Sequence, residues 1–94
     1  MNIDKSKKRI AKKVKMGFKG YPQVIFSYFG ETEDMATEVV VTFVLDEGVE
    51  PQEQRFAGKD DVREDEVIQS ALVKIMERTD AKTVLEVEGT ALLG

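Results

Sequence analysis

Between Val24 and Leu45 the chain carries two runs of β-branched and aromatic residues separated by one short polar loop, and nothing else in it restricts the fold as much. Val24-Ile25-Phe26-Ser27-Tyr28-Phe29 stops at Gly30, and Thr37 to Leu45 is the strongest strand pattern in the chain. The loop Gly30 to Ala36 is too short for a crossover, so the two runs form an antiparallel hairpin. Side chains alternate between the faces of a strand. Val39, Val41, Phe43 and Leu45 therefore oppose Val40, Thr42 and Val44, and Val24, Phe26 and Tyr28 oppose Ile25, Ser27 and Phe29. Both faces of the hairpin are apolar, and each needs a cover.

The remaining elements are read around this hairpin. Asp46-Glu47-Gly48 is a turn, and a weaker strand runs from about Gln52 to Ala57. Pro51 and its polar content place that strand at a sheet edge. Asp61-Val62-Arg63-Glu64 has the form of a capping box and predicts a helix from Val62 to about Arg78. Val67, Ile68, Ala71, Leu72, Ile75 and Met76 are its expected apolar face, with acids early and bases late to match the macrodipole. Lys82 to Glu88 alternates, with Leu85 and Val87 against Glu86 and Glu88, and reads as a half-exposed strand. At the other end, Ile10 and Val14, flanked by Ile3 and Phe18, mark a thin apolar stripe on a lysine-rich helix from about Asp4 to Met16, ended by Gly17 and Gly20.

The expected fold is α+β in the order α-β-β-β-α-β, a single domain over residues 1–94. Three meander strands and a C-terminal strand make an antiparallel sheet with the main helix packed on one face. The lysine-rich helix is expected to pack more loosely, on an end or on the other face. One amphipathic helix covers about one face of a small sheet. The second face must meet the first helix, the Ala91-Leu92-Leu93 tail or a second chain.

Composition removes several kinds of chemistry. The chain has neither cysteine nor histidine, so thiolate nucleophiles, the common zinc sites and the commonest general base near neutral pH are absent. The acids Asp60, Asp61, Glu64, Asp65 and Glu66 lack the alternating oxygens and central glycine of a calcium loop, and helix capping accounts for them. Ser27 has no base near it in sequence. Gly17-Phe18-Lys19-Gly20 follows a helix, where a phosphate loop would follow a strand. No catalytic residue, cofactor or metal is expected, and the chain reads as a non-enzyme. Met1 to Met16 lacks the apolar core of a secretory signal, and no apolar run approaches the ~20 residues that span a bilayer. No membrane association is expected, and the cytoplasm is the expected location.

Charge is unevenly distributed. Through residue 20, eight bases stand against Asp4 alone, giving +7; the rest has six bases and seventeen acids, giving −11. Such a head implies an anionic partner or internal neutralisation. Lys5, Lys8, Arg9, Lys12, Lys13 and Lys15 are the candidate anion- or nucleic-acid-binding residues, with Phe18 and Tyr21 placed to stack on bases. Against this, lysines commonly solubilise a helix, and a pI near 4.9 is unlike a dedicated nucleic-acid binder. The order α-β-β-β-α is also that of the double-stranded-RNA-binding domain. That family places lysines where this chain has Asp60-Asp61-Val62-Arg63-Glu64-Asp65-Glu66, and a further strand follows here, so the likeness is one of order alone. Ile25, Phe29, Val40 and Val44 are the candidate protein interface, because an uncovered apolar sheet face seeks a partner and homodimerisation is the commonest solution. The expected function is a small non-catalytic interaction or regulatory module, with a protein partner or a second copy of itself. Anion or nucleic-acid binding through the lysine-rich helix is the alternative.

Overall fold

The computed structural model describes residues 3–87 and 89–92. The elements are α1 (Ile3–Lys15), β1 (Gln23–Gly30), β2 (Glu38–Val44), β3 (Gln52–Ala57), a 3-10 turn (Val62–Glu64), α2 (Glu66–Arg78), β4 (Thr83–Glu86) and the short β5 (Ala91–Leu92). The α+β class and the element order follow the sequence pattern. The hairpin forms with Ser27 opposite Val40 and Phe26 opposite Val41.

The sheet runs β3-β2-β1-β4, with β5 continuing beside β1 beyond β4. β4 and β5 lie parallel to β1, so the sheet is mixed and not wholly antiparallel. The reason is topological. α2 carries the chain from the β3 edge across the sheet to the far side of β1, and a strand entered through such a crossover returns parallel.

Both helices sit on one face. α1 contacts α2 and β4, and its buried Ile10 joins Val24, Phe26, Tyr28, Val39, Val41, Leu72, Val73 and Val84 in one core. α1 is thus not a cover for the second face, as one of the expected arrangements had it. Burying Ile10 holds a helix whose lysines repel one another; short isolated helices are marginal in water, and docking supplies what propensity cannot.

α2 begins later than its capping signal implies. Asp61 caps only the 3-10 turn, through Arg63 N–H. Asp65 is the true N-cap, its carboxylate accepting from Ile68 N–H at 3.0 Å. The buried face is also rotated: Val67 is 79% exposed, whereas Val73 and Gln69 are buried. The α1 helix causes this, since it packs beside α2 and buries the flank that periodicity against a sheet alone would leave outside.

The loop before β2 is tied down. Thr32 and Met35 pair across it, and the buried Ala36 accepts from Val62 N–H at 2.7 Å. Gly30 is required there, because a Cβ at that position would lie 2.1 Å from the Met35 carbonyl oxygen.

Candidate functional site

Strand alternation and register bring the four candidate interface residues together. Val24, Phe26 and Tyr28 point to the helices, so Ile25, Ser27 and Phe29 point away. Across β2 their partners are Thr42, Val40 and Glu38, and Leu85 lies opposite Ile25 on β4. Ile25, Phe29, Val40 and Val44 therefore share the face without helices. Val40 is buried, yet it stands outside the helix-side core cluster. Its cover is its own neighbours in the sheet, including Arg55 directly opposite on β3. Ile25, Phe29, Val44 and Leu85 are half-buried. Among the described residues, no helix packs on this face. The open face is apolar at its centre and charged on the β3 side, where Arg55 donates to Glu38 at 3.0 Å. Leu93, part of the tail expected as a possible cover, lies outside the described residues.

The basic helix is divided by its docking. Ser6 and Ile10 face inward, so residues 5, 8, 12 and 15 occupy the opposite side at 3.6-residue spacing. Arg9 is not on that stripe: its guanidinium donates to Glu77 on α2 at 2.6 Å. Lys7 likewise pairs with Glu64 at 2.6 Å. Both pairs are exposed and each is worth little; one joins α1 to the 3-10 turn and the other to the end of α2. Lys8, Lys12, Lys13 and Lys15 make no ion pair among the described residues. Lys13 flanks the stripe, and Phe18 is 62% exposed with its ring edge-on to Tyr21. Of the six candidate residues, Lys5, Lys8, Lys12 and Lys15 thus form an outward stripe, Lys13 flanks it, and Arg9 is engaged by the molecule's own acid.

A third cluster was not visible in the sequence. The Tyr28 hydroxyl donates to Glu86 Oε2 at 3.2 Å, and the Arg63 guanidinium lies over the Tyr28 ring, 4.5 Å from its centroid. Arg63 also donates to Thr90 Oγ1 at 2.8 Å and to the Gly89 carbonyl. Burial, and then the Glu86 carboxylate, push the Tyr28 phenol up to about 12. A phenol held neutral so firmly is no general base near neutral pH. The adjoining cleft of about 220 Å³, lined by Lys7, Ile10, Gln69 and Glu86 among others, has its polar groups matched by protein partners. Among the described residues, no buried side-chain nitrogen or oxygen lacks a hydrogen bond. The cluster clasps the segment after β4 to the 3-10 turn. Each of its links joins residues far apart in sequence, so no local pattern announces it.

No group of three or more acids suited to a metal ion occurs among the described residues, and no described helix is long and apolar enough to cross a membrane. The acids Asp61 and Asp65 are occupied as caps. No family model, curated protein or solved structure matches the chain. The candidate site therefore rests on geometry: an open sheet face on one side of the molecule and a lysine stripe on the other.

Proposed function

We propose that the protein is a non-catalytic interaction module whose working surface is the open sheet face. The observation that carries this reading is the gathering of Ile25, Phe29, Val40, Val44 and Leu85 on a face that neither helix covers. A protein partner with a complementary apolar patch is the ligand such a surface suits, since contiguous exposed apolar area on a soluble domain marks interaction sites. The Glu38–Arg55 pair at its margin supplies polar contacts around an apolar centre, the usual anatomy of an interface. Cytoplasmic location belongs to the same proposal and rests on the sequence alone.

The second reading is anion or nucleic-acid binding by α1. It is supported by the outward Lys8, Lys12 and Lys15, which no acid engages among the described residues. Acids of the neighbouring elements weigh against it, because Glu64 of the 3-10 turn and Glu77 near the end of α2 draw Lys7 and Arg9 into internal pairs.

One experiment separates the two. Tagged wild type, an Ile25→Ser/Phe29→Ser variant and a Lys8→Glu/Lys12→Glu/Lys15→Glu variant are used to capture partners from lysate, with and without nuclease. The proposal expects nuclease-resistant proteins held by the wild type and the lysine variant and lost from the face variant. Partners that persist with the face variant, or capture that requires both the lysines and intact nucleic acid, would overturn it. Circular dichroism on each variant checks that the fold is intact.

A further inference from the structure

Among the described residues β3 pairs with β2 alone, and the charges along its outer edge fit those of a second copy of the chain when the pairing is centred on Gln54. Gly58 N–H donates to the Thr37 carbonyl at 2.9 Å, flanking the Glu38–Ala57 pair. In an antiparallel ladder the N–H and C=O of one residue point the same way, and the direction alternates along the strand. Gln52, Gln54 and Phe56 therefore turn their backbone groups to β2. Glu53, Arg55 and Ala57 turn theirs outward. Those same residues place their side chains on the open face.

We propose that the protein forms a two-fold dimer by antiparallel pairing of β3 with β3 of a second copy, with Glu53 opposite Arg55 of that copy. Hydrogen bonding requires outward residues to face outward residues, which restricts the symmetric registers. A two-fold centred on Glu53 sets glutamate against glutamate, and one centred on Arg55 sets arginine against arginine. Like charges directly opposite destabilise a strand pair. Centring on Gln54 makes both charged pairs opposite in sign. Arg55 already holds Glu38 at 3.0 Å, and its guanidinium, with five donors in a fork, can bridge that carboxylate and Glu53 of the second copy. Natural edge strands commonly carry charges that deter pairing; here the alternating signs deter the registers centred on Glu53 and on Arg55, and of the three central registers only the one centred on Gln54 sets unlike charges opposite. Pro51 falls opposite Ala57 at the end of the ladder, so the missing N–H interrupts nothing within it. The two-fold lies perpendicular to the sheet, placing both helix layers on one side and joining the two open faces into one platform. This dimer uses the strand edge and not the open face, so either idea can fail without the other.

The chain has no cysteine, which makes the register directly testable. Gln54 would meet its own counterpart in a non-hydrogen-bonded pair, where Cα atoms lie about 4.5 Å apart, within disulfide range. Mild oxidation of Gln54→Cys should give a covalent dimer. Gln52→Cys, displaced along the strand from its counterpart, should not. In sedimentation, the wild type should be dimeric, Glu53→Arg and Arg55→Glu should each be monomeric at the same concentration, and the double charge swap should restore the dimer. A strict monomer up to the solubility limit overturns the proposal. So does a dimer indifferent to both single swaps, or one abolished by Ile25→Ser/Phe29→Ser while Gln54→Cys stays uncrosslinked, which would move self-association to the open face.

Discussion

Thr83 is wholly buried, and its hydroxyl is the one side-chain link between the α1–β1 connection and β4 that the described residues show. It accepts from Lys19 N–H at 2.7 Å and donates to the Gly20 carbonyl at 2.7 Å. Thr83→Val keeps the shape and removes both bonds. A net hydrogen bond is worth about 1 kcal/mol, and a stranded buried partner costs about 1–3 kcal/mol. Lys19 is exposed and Gly20 half-buried, so water recovers part of that cost and the expected loss is about 2 kcal/mol. For a domain of this size each kcal/mol moves Tm by about 4–8 °C, so Thr83→Val should melt roughly 8–16 °C lower. Thr83→Ser keeps the hydroxyl and gives up one methyl, a loss of about 1 kcal/mol. Urea unfolding at unchanged m-value reads the energies, and amide exchange at Lys19 reads the link itself. A Val variant as stable as wild type, with Lys19 still protected, would refute the reasoning.

Other perturbations follow from the same contacts. The folded state holds the Tyr28 proton up to about 12, against 10.0 for the ordinary phenol. Alkali therefore favours unfolding: the stability this group contributes is intact below pH 10 and gone above about pH 12, a loss of roughly 2–3 kcal/mol. Tyr28→Phe should flatten that fall in a denaturation series against pH; an equally steep fall would exclude Tyr28 as its source. Ile10→Ala should cost about 2–4 kcal/mol and release α1, seen as lost helical ellipticity with near-complete retention of the sheet signal. Gly30→Ala should cost at least about 2 kcal/mol by overpacking against the Met35 carbonyl, read by urea denaturation.

The hairpin was legible because its alternation is strict and its loop short; the strand ends shift by a residue or so, and β3 falls at the expected bounds. Grouping Ile25 and Phe29, or Val40 and Val44, needed only the period of two, and the register then set the pairs side by side. What stayed hidden was non-local. Nothing in residues 83–86 encodes a parallel approach to β1, which α2 imposes by crossing the sheet. The misjudged Val67 and the missed Val73 have one cause, because α1 adds a second buried flank to α2. The clasp of Arg63 on Thr90 and the bridge from Thr83 to Gly20 join residues that only the folded chain brings together. Asp61 misled as a helix start because the same residue type caps a 3-10 turn as well as an α-helix.

The most direct test places a photo-crosslinking amino acid at Ser27, amid the open face, or at Lys12, on the outer stripe of α1, in cells of the source organism. An interaction module of this design gives discrete protein adducts from position 27 and none above background from position 12. Adducts from position 12 alone, or nucleic-acid adducts there with position 27 silent, would contradict it.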